Sequence, residues 1–420
     1  MKRYVSEKVR YIREQTADDE HVLIVPGERD ATIVAERSRT YFIGSPLISS
    51  TTRYRVLLRL EAIERVLEKE RPDIIECGDP YQVAWKAVRS GAVLGIPVVA
   101  FYHSHFPEAY IRTVRKFIGA TVTGFCMDLS RRYIRALYNR FERTIVPSPA
   151  LGAVLTEWGV RNVAHSDLGV DTAIFQPTPT PGENVRAEFG IPRDRTLLLY
   201  VGRLAQEKNT HTLFDAFRLL PANRFHLLIV GDGLQRSELS TLNPQLSPRH
   251  HGLLAKPRIS TSVTHIPYCS EAHRLAALYR AADLFIHPGV QETFGLVTLE
   301  AQACGTPVVG IRGSDMDRIV QSPQTFWARE NTPAALAAAI LATTEASAHH
   351  DSELMSARIS SQYSWQRVFA RLFALYRKVI ADHQRARRPE SYAATPTGAR
   401  PCASGAGSST NSPTAPKSSS

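Results

Sequence analysis

The sequence predicts an α/β protein with two doubly wound parallel-sheet domains, and three observations support this fold class. Short apolar runs alternate with amphipathic helical segments along most of the chain. Polar, Gly-bearing loops follow several of these runs, as loops do at the carboxyl ends of parallel strands. The chain has 420 residues and 43% hydrophobic content, which suffices for two domains with full cores.

The first half, residues 1–175, predicts one α/β domain with an unusual start. Residues 4–15 predict an amphipathic helix, and residues 21–27 predict a strand that ends at Pro-Gly. An α/β domain normally begins with a strand and a substrate or phosphate loop. We therefore expect that the first strand is missing, because either the start was placed too late or the protein is truncated.

A basic and aromatic stretch, residues 109–143, lies within this half. Two interpretations stay open: a solvated helix face, or a helix that lies on an anionic membrane surface and brings the protein to a lipid. Its cations are Arg112, Arg115, Lys116, Arg131, Arg132, Arg135, Arg140 and Arg143, opposed by Asp128 and Glu142.

The second half repeats the alternation after a Pro- and Thr-rich linker, residues 176–190. Residues 191–363 predict the second sheet domain, and residues 364–384 predict an amphipathic closing helix. Residues 385–420 are dominated by Pro, Ser, Thr, Ala and Gly. Such a composition buries too little apolar surface to order itself, so we expect a disordered tail.

Two cations follow the first strand of the second domain. Arg203 and Lys208 come from the loop at the carboxyl end of the strand TLLLYV, before a helix begins. Two cations at this position suit the grip of a diphosphate, whereas either one alone would be an ordinary surface charge.

The segment from His287 to Gly310 predicts a strand end, a loop, a short helix and a second strand. Glu292 falls in the loop, and Glu300 follows eight positions later in the helix. Unpaired amides around residues 295–297, at the helix start, would face an anion in the crevice. Two carboxylates for hydroxyl groups and a helix end for phosphate are what a nucleotide-sugar needs. The alternative is that both glutamates are solvated surface residues.

Composition excludes several classes of protein. Cys77, Cys126, Cys269, Cys304 and Cys402 are odd in number and show no Cys-x-x-Cys, which argues for reduced cytosolic thiols and against a zinc site. The net charge of +11 suggests anionic partners, but no nucleic-acid-binding module is recognised. A nicotinamide-dependent dehydrogenase is disfavoured because no Gly-x-Gly-x-x-Gly follows an early strand.

No targeting or membrane-spanning segment is predicted. The longest apolar run, residues 92–101, is broken by Gly95 and Pro97, and the first fifteen residues are charged throughout. We therefore expect a cytoplasmic protein that is either free or peripheral on the inner face of the membrane.

The segment from His287 to Gly310 resembles the signature of the retaining GT-B glycosyltransferases of the group 1 or family 4 type. The run from Val201 to Asn209 also matches the Gly-Arg-x-x-x-x-Lys pattern of that family. The first half looks most like bacterial GDP-mannose-dependent α-mannosyltransferases or sulfoquinovosyltransferases. The matching signature residues are Glu292, Phe294, Gly295, Glu300, Ala301, Gly305, Pro307 and Val308.

The resemblance implies a GT-B fold, in which two Rossmann-like domains face a cleft. It implies transfer of a hexose, with mannose favoured, from a nucleotide-diphosphate sugar to a lipid or polysaccharide hydroxyl, with retention. The catalytic residues would be Glu292 on the donor sugar and His103 across the cleft, with His105 as the alternate. The implied substrate-binding residues are Arg203, Lys208, Phe294, Gly295, Leu296, Val297 and Glu300.

The resemblance implies no cofactor and no obligatory metal, with GDP-mannose or a UDP-sugar as the substrate. The family meets the base mainly through backbone, so guanine and uracil donors both remain open. Asp315 and Asp317 form an Asp-x-Asp, the manganese motif of the other glycosyltransferase fold, but this position suits two acids at a helix start. The competing functional hypothesis is a truncated or degenerate GT-B protein that binds a nucleotide-sugar without turnover.

Overall fold

The structure is a computed structural model of the chain. Three sequence-based expectations lie outside the described residues: the alternate His105, Asp315, and the tail from residue 388 onward. The structure describes residues 2–49, 54–103, 106–178, 183–242, 258–259, 262–290, 292, 294–313, 316–346 and 351–387.

The first half opens with helix α1 and two small sheets. In the three-stranded sheet, β1 is parallel to β3 and β2 is antiparallel to it, whereas β4 and β5 form an antiparallel pair. These elements are α1 (Lys2–Gln15), β1 (His21–Gly27), β2 (Ala31–Ala35), β3 (Ser38–Gly44), β4 (Leu47–Ser49) and β5 (Tyr54–Arg55).

A four-stranded parallel sheet follows, in the order β6-β7-β8-β9, with helices between its strands. Its helix ends follow from local sequence: α3 stops where Gly95 takes a φ of 72°, and Ser148 caps α5 ahead of Pro149. The elements are α2 (Leu60–Glu70), β6 (Ile75–Cys77), α3 (Gln82–Leu94), β7 (Val98–Phe101), α4 (Phe106–Tyr138), β8 (Arg143–Val146), α5 (Pro149–Glu157) and β9 (Val163–His165).

The second half is built on a six-stranded sheet in the order β12-β13-β11-β10-β14-β15, in which only the edge strand β12 is antiparallel. The strands β11, β14 and β15 are buried along their whole length, as expected where helices cover both faces. The strands are β10 (Thr196–Val201), β11 (Phe225–Val230), β12 (Arg258–Ile259), β13 (Val263–Ile266), β14 (Leu284–His287) and β15 (Val308–Gly310).

Helices complete this half. Residues 183–188, within the stretch that we assigned to a linker, form the short helix α6. The helices are α6 (Glu183–Glu188), α7 (Thr210–Leu219), α8 (Leu239–Leu242), α9 (Ala272–Ala281), α10 (Leu296–Ala303), α11 (Pro333–Ala346) and α12 (Ser352–Tyr363), with 3-10 turns at Gln206–Lys208 and Leu234–Glu238.

The last helix, α13 (Trp365–Arg387), packs against α1 of the first half. It extends three residues past the predicted end at 384, because Arg385, Ala386 and Arg387 are good helix formers. Buried Lys8 of α1 binds the partly buried Glu76 of β6 at 2.8 Å and the hydroxyl of buried Tyr376 at 3.1 Å. The closing helix is therefore anchored to both α1 and the four-stranded sheet.

Candidate active site

Two neighbouring strands of the six-stranded sheet position the site. Strands β10 and β14 pair in parallel, with Leu198 opposite Leu284, so their carboxyl ends meet at one edge. Lys208 ends the 3-10 turn that follows β10, and Glu292 lies in the loop that follows β14. The two residues are 84 positions apart in the chain, yet the Lys208 Nζ binds Glu292 Oε1 directly.

His287, the last residue of β14, joins this pair. Its Nε2 lies 3.4 Å from the same Oε1 of Glu292, and its side chain is 4% exposed against 10% for Glu292. Burial alone would raise the pKa of Glu292, but the hydrogen bonds and charges of His287 and Lys208 outweigh it and lower the pKa to about 2. Glu292 is therefore a fixed carboxylate at neutral pH.

The start of α10, four residues after Glu292, provides the amide-rich end that the sequence predicts. Gly295, the residue before the helix, has a φ of 86°, and no side chain caps the helix. Among the described residues, the backbone amides of Leu296 and Val297 have no hydrogen-bond partner. The positive φ favours glycine at this position, and a Cβ there would lie 2.6 Å from the Met316 sulfur, so that side chain would have to shift. This end of α10 is suited to an anion.

Arg203 lies at the rim of the same loop. Its side chain is 69% exposed and forms an ion pair with Glu207 at 3.2 Å. The hydroxyl of buried Tyr200 donates to the Arg203 carbonyl at 2.8 Å and fixes the backbone there. An exposed guanidinium on a fixed backbone can turn toward a phosphate that enters the cleft.

Glu300 is buried, with 2% exposure, and is not a surface helix residue. Its Oε2 accepts a hydrogen bond from the Tyr279 hydroxyl at 3.1 Å, and its Oε1 forms an ion pair with Arg3 of α1. Arg3 also lies 5.9 Å from the centroid of the Phe175 ring. The second carboxylate of the signature is thus held by a side chain from the first half.

The remaining predicted site residues lie apart from this cluster. Phe294 is 2% exposed and packs edge-on against Tyr363, with ring centroids 6.4 Å apart. His103 follows β7, and its Nδ1 lies 3.4 Å from the Phe101 carbonyl oxygen. Desolvation lowers the pKa of His103, which favours the neutral imidazole. No described hydrogen bond joins His103 to Glu292.

Sequence reasoning missed His287, Arg3 and Tyr279. His287 looked like the end of an apolar strand, and a polar residue that closes such a strand at the ligand edge was the signal available. Asp317 accepts from the Gly313 amide at 2.8 Å within a turn, and not at the helix start that we expected.

Two further observations concern the described part of the chain. It holds no group of three or more His, Cys, Asp or Glu residues arranged for a metal ion. None of its helices combines the length and apolarity that crossing a membrane would require.

Two family profiles match the chain, one in each half. Residues 1–174 match "Glycosyltransferase Family 4", and residues 182–355 match "Glycosyl transferases group 1". Together the two profiles cover most of the chain, including the sheets described above.

Curated relatives include the sulfoquinovosyl transferase SQD2 of Arabidopsis thaliana, 27% identical over 75% of this chain and 57% of its own length. A GDP-mannose-dependent α-mannosyltransferase of Corynebacterium glutamicum is 28% identical over 71% of this chain and 66% of its own length. A phosphatidylinositol dimannoside mannosyltransferase of Mycobacterium tuberculosis is 28% identical over 84% of this chain and 86% of its own length. The chain thus spans less than two thirds of the first two relatives.

Solved structures share the fold at low identity. A glycosyltransferase from Rickettsia africae superposes with a TM-score of 0.66 at 15% identity, over 90% of this chain and 94% of that chain. Anabaena HepE, in complex with UDP and glucose, superposes with a TM-score of 0.59 at 18% identity, over 80% of this chain and 85% of that chain. The GT-B fold that the sequence predicts is confirmed. With one family profile on each of its two sheet domains, the chain belongs to the group 1 and family 4 glycosyltransferases.

Proposed function

We propose that the protein is a hexosyltransferase that moves a sugar, with mannose favoured, from a nucleotide-diphosphate donor to an acceptor hydroxyl with retention. The observation that carries this proposal is the ionised Glu292, held by Lys208 and His287 four residues before the uncapped start of α10. The cluster offers a carboxylate for sugar hydroxyls beside an amide-rich end for phosphate.

The phosphate side of the reaction would use donors that are already in place. Breaking the bond between sugar and phosphate leaves negative charge on the diphosphate and positive charge on the sugar. The amides of Leu296 and Val297 and the guanidinium of Arg203 would stabilise the diphosphate in a water-poor cleft. Lys208 would share its ammonium between Glu292 and the leaving phosphate, since its side chain is 26% exposed.

The sugar side would depend on Glu292. Lys208 and His287 both contact Oε1, and no described residue hydrogen-bonds Oε2. Oε2 is therefore the oxygen that would accept from a donor-sugar hydroxyl and face the positive charge that develops on the ring. The leaving diphosphate would take the proton of the acceptor hydroxyl on the same face, so no protein nucleophile is required.

The names of the relatives support the choice of donor. Two of them are GDP-mannose-dependent mannosyltransferases, and we extend that donor to this chain as the favoured one. UDP-sugars remain the competing donor class, since HepE binds UDP. Glu300 would accept from the ribose hydroxyls, which requires Arg3 to release it.

For the acceptor we propose a lipid or polysaccharide that the protein meets at an anionic membrane surface, on its cytoplasmic side. Val122, Phe125 and Leu129 are 49%, 69% and 58% exposed on α4, and their spacing puts them on one helix face. The exposed Arg132 lies next to Phe125 on the helical wheel. Apolar and aromatic anchors beside arginine suit an interfacial helix.

Vesicle sedimentation tests the membrane contact. We expect the protein to sediment with vesicles of phosphatidylglycerol and phosphatidylcholine at low salt, and a Phe125→Ser, Leu129→Ser variant to stay in solution. A matched double change of exposed apolar residues in the other half, Leu219→Ser with Leu234→Ser, serves as the control. Equal sedimentation of both variants would contradict the assignment to α4.

Nucleotide release tests the enzymatic proposal. Purified protein is incubated with GDP-mannose, other GDP-sugars and UDP-sugars, with and without a lipid extract, and free nucleoside diphosphate is measured. We expect release from GDP-mannose that rises with the extract. Binding of a nucleotide-sugar without release would favour the degenerate protein instead.

A further inference from the structure

We propose that His287 is the positioning residue of the site: its imidazole fixes the Glu292 carboxylate so that one oxygen faces the donor sugar. The inference rests on the proposed function, and it assigns a role to a residue outside the predicted set of site residues. Its basis is the geometry around the end of β14.

The first step is that both donors reach one oxygen. Lys208 Nζ and His287 Nε2 both contact Glu292 Oε1, the latter at 3.4 Å. A carboxylate that is held by a single flexible ammonium can rotate about its last bond. A second donor from a fixed ring selects one rotamer and turns Oε2 away from the protein contacts.

The second step is that the ring is closely enclosed. His287 is 3% exposed, and its residue position pairs with Gly310 of β15 in the sheet. A Cβ on Gly289 would lie 2.7 Å from the imidazole Cε1 and 3.3 Å from its Nδ1, so the loop backbone passes directly over the ring. Any larger residue at position 289 would displace either the ring or the loop.

The third step concerns the proton. Glu292 is ionised, so it can only accept, and the Nε2 of His287 must carry the hydrogen between them. The Nδ1 is buried and has no hydrogen-bond partner in the described structure. Among the described residues, Glu292 is thus the polar group that this imidazole contacts.

The fourth step is that the imidazole places an unpartnered polar atom, its Nδ1, in a buried position. A buried polar atom without a partner destabilises the folded state, and an apolar side chain of similar size would remove that penalty. The polar contact that this histidine makes is with the Glu292 carboxylate. A purely structural role predicts that turnover and nucleotide affinity fall together on its loss, whereas a positioning role predicts lost turnover with preserved nucleotide affinity.

Three variants test the proposal. His287→Leu removes the donor at similar volume, and His287→Gln restores an N–H at about the reach of Nε2. The control is His226→Leu, because His226 lies in the same sheet, is 1% exposed, binds Thr264 through Nε2 at 2.8 Å and likewise has an unpartnered Nδ1.

We expect His287→Leu to lower kcat by about tenfold or more, while the variant stays folded and the Kd for GDP or UDP changes by less than about threefold. His287→Gln should recover most of kcat, and His226→Leu should keep the wild-type kcat. The proposal is overturned if His287→Leu turns over like wild type, if its kcat and its nucleotide affinity fall in the same proportion, or if His287→Gln recovers nothing.

A second readout does not need turnover and separates this proposal from the enzymatic one. The pKa of Glu292, about 2 in the wild type, is followed by carbon NMR of labelled glutamate carboxyls. Loss of the His287 donor should raise that pKa, and His287→Gln should lower it again. If the wild type transfers no sugar, the proposed function fails, and an unchanged pKa in His287→Leu would then overturn the positioning role on its own.

Discussion

The two glutamates of the same strand-loop-helix unit are held in different ways. Glu300 is buried, the Glu292 side chain is 10% exposed, and both contact a cation, but the cation of Glu292 is Lys208, from a turn that follows a strand of the same six-stranded sheet. The cation of Glu300 is Arg3, from α1 of the other half of the molecule. Glu292 is thus organised within one domain, whereas the surroundings of Glu300 depend on how the two halves meet.

This difference separates the two tasks that the site would perform. A group that acts on the transition state should be held the same way in every state of the enzyme, since preorganisation is the source of its effect. A group that recognises the nucleoside can be coupled to domain position, because binding and domain closure then share free energy. The contacts fit Glu292 to the first task and Glu300 to the second.

The largest expected effect is on turnover after Glu292→Gln. The change keeps the shape but removes the charge that faces the sugar, so we expect kcat to fall by about 10²–10³-fold with little change in the Kd for nucleoside diphosphate. Nucleotide release and calorimetric binding measure the two quantities.

The control for this substitution is Glu345→Gln. The Glu345 side chain is 67% exposed and makes a long ion pair with Arg224 at 3.9 Å. It should leave both quantities unchanged. If Glu292→Gln lost nucleotide affinity and turnover in the same proportion, Glu292 would belong to the nucleoside side and the comparison between the two glutamates would fail.

The next effect is on stability against pH. The pKa of Glu292 is lowered from 4.5 to about 2 in the folded state, so its contribution to stability is present above pH 4.5 and is lost as the pH falls toward 2. Between pH 5 and pH 3 we expect the wild type to lose about 2 kcal/mol of unfolding free energy that Glu292→Gln does not lose. Urea unfolding of both proteins at the two pH values measures the difference.

Equal losses in the two proteins would mean that Glu292 titrates normally and is not held by Lys208 and His287. Because other acids titrate alike in both proteins, the difference between the two losses isolates Glu292. Glu345→Gln, measured at the same two pH values, should follow the wild type.

The parts of the site that the sequence predicts are those with local or pattern-based signals. The local sequence pattern predicts the strands, loops and helix starts around Glu292, Lys208 and the Gly295 turn. The structure brings Glu292 and Lys208 into contact. Phe294 shows the limit of this approach. It matches the signature, yet its ring packs against Tyr363 from a helix that no local pattern connects with it.

The contacts that sequence could not predict depend on long-range packing. Arg3 and Glu300 are 297 positions apart and meet only because the two halves face each other. The burial of His287 depends on a loop that crosses its ring at Gly289, which the apolar strand LFIH does not reveal. Such contacts arise from tertiary structure and override local propensity.

The smallest expected effect is also the one that most directly tests the coupling between the halves. In the structure, Glu300 is 2% exposed and Arg3 pairs with its Oε1, so ribose hydroxyls that approach from the cleft would displace Arg3. Arg3 is 43% exposed, and such a partly solvated ion pair is worth at most about 1 kcal/mol. We therefore expect Arg3→Met to tighten the binding of GDP or UDP by about two- to fivefold, measured by calorimetry.

The matched control is Arg13→Met, because Arg13 lies on the same helix, is 49% exposed and pairs only with its neighbour Glu14 among the described residues. It should bind nucleotide like the wild type. Weaker binding by Arg3→Met would mean that Arg3 contacts the nucleotide itself and serves the donor site directly. A lower Tm together with tighter binding is what displacement requires, since the variant leaves the buried Glu300 charge with Tyr279 alone until the ribose hydroxyls replace Arg3.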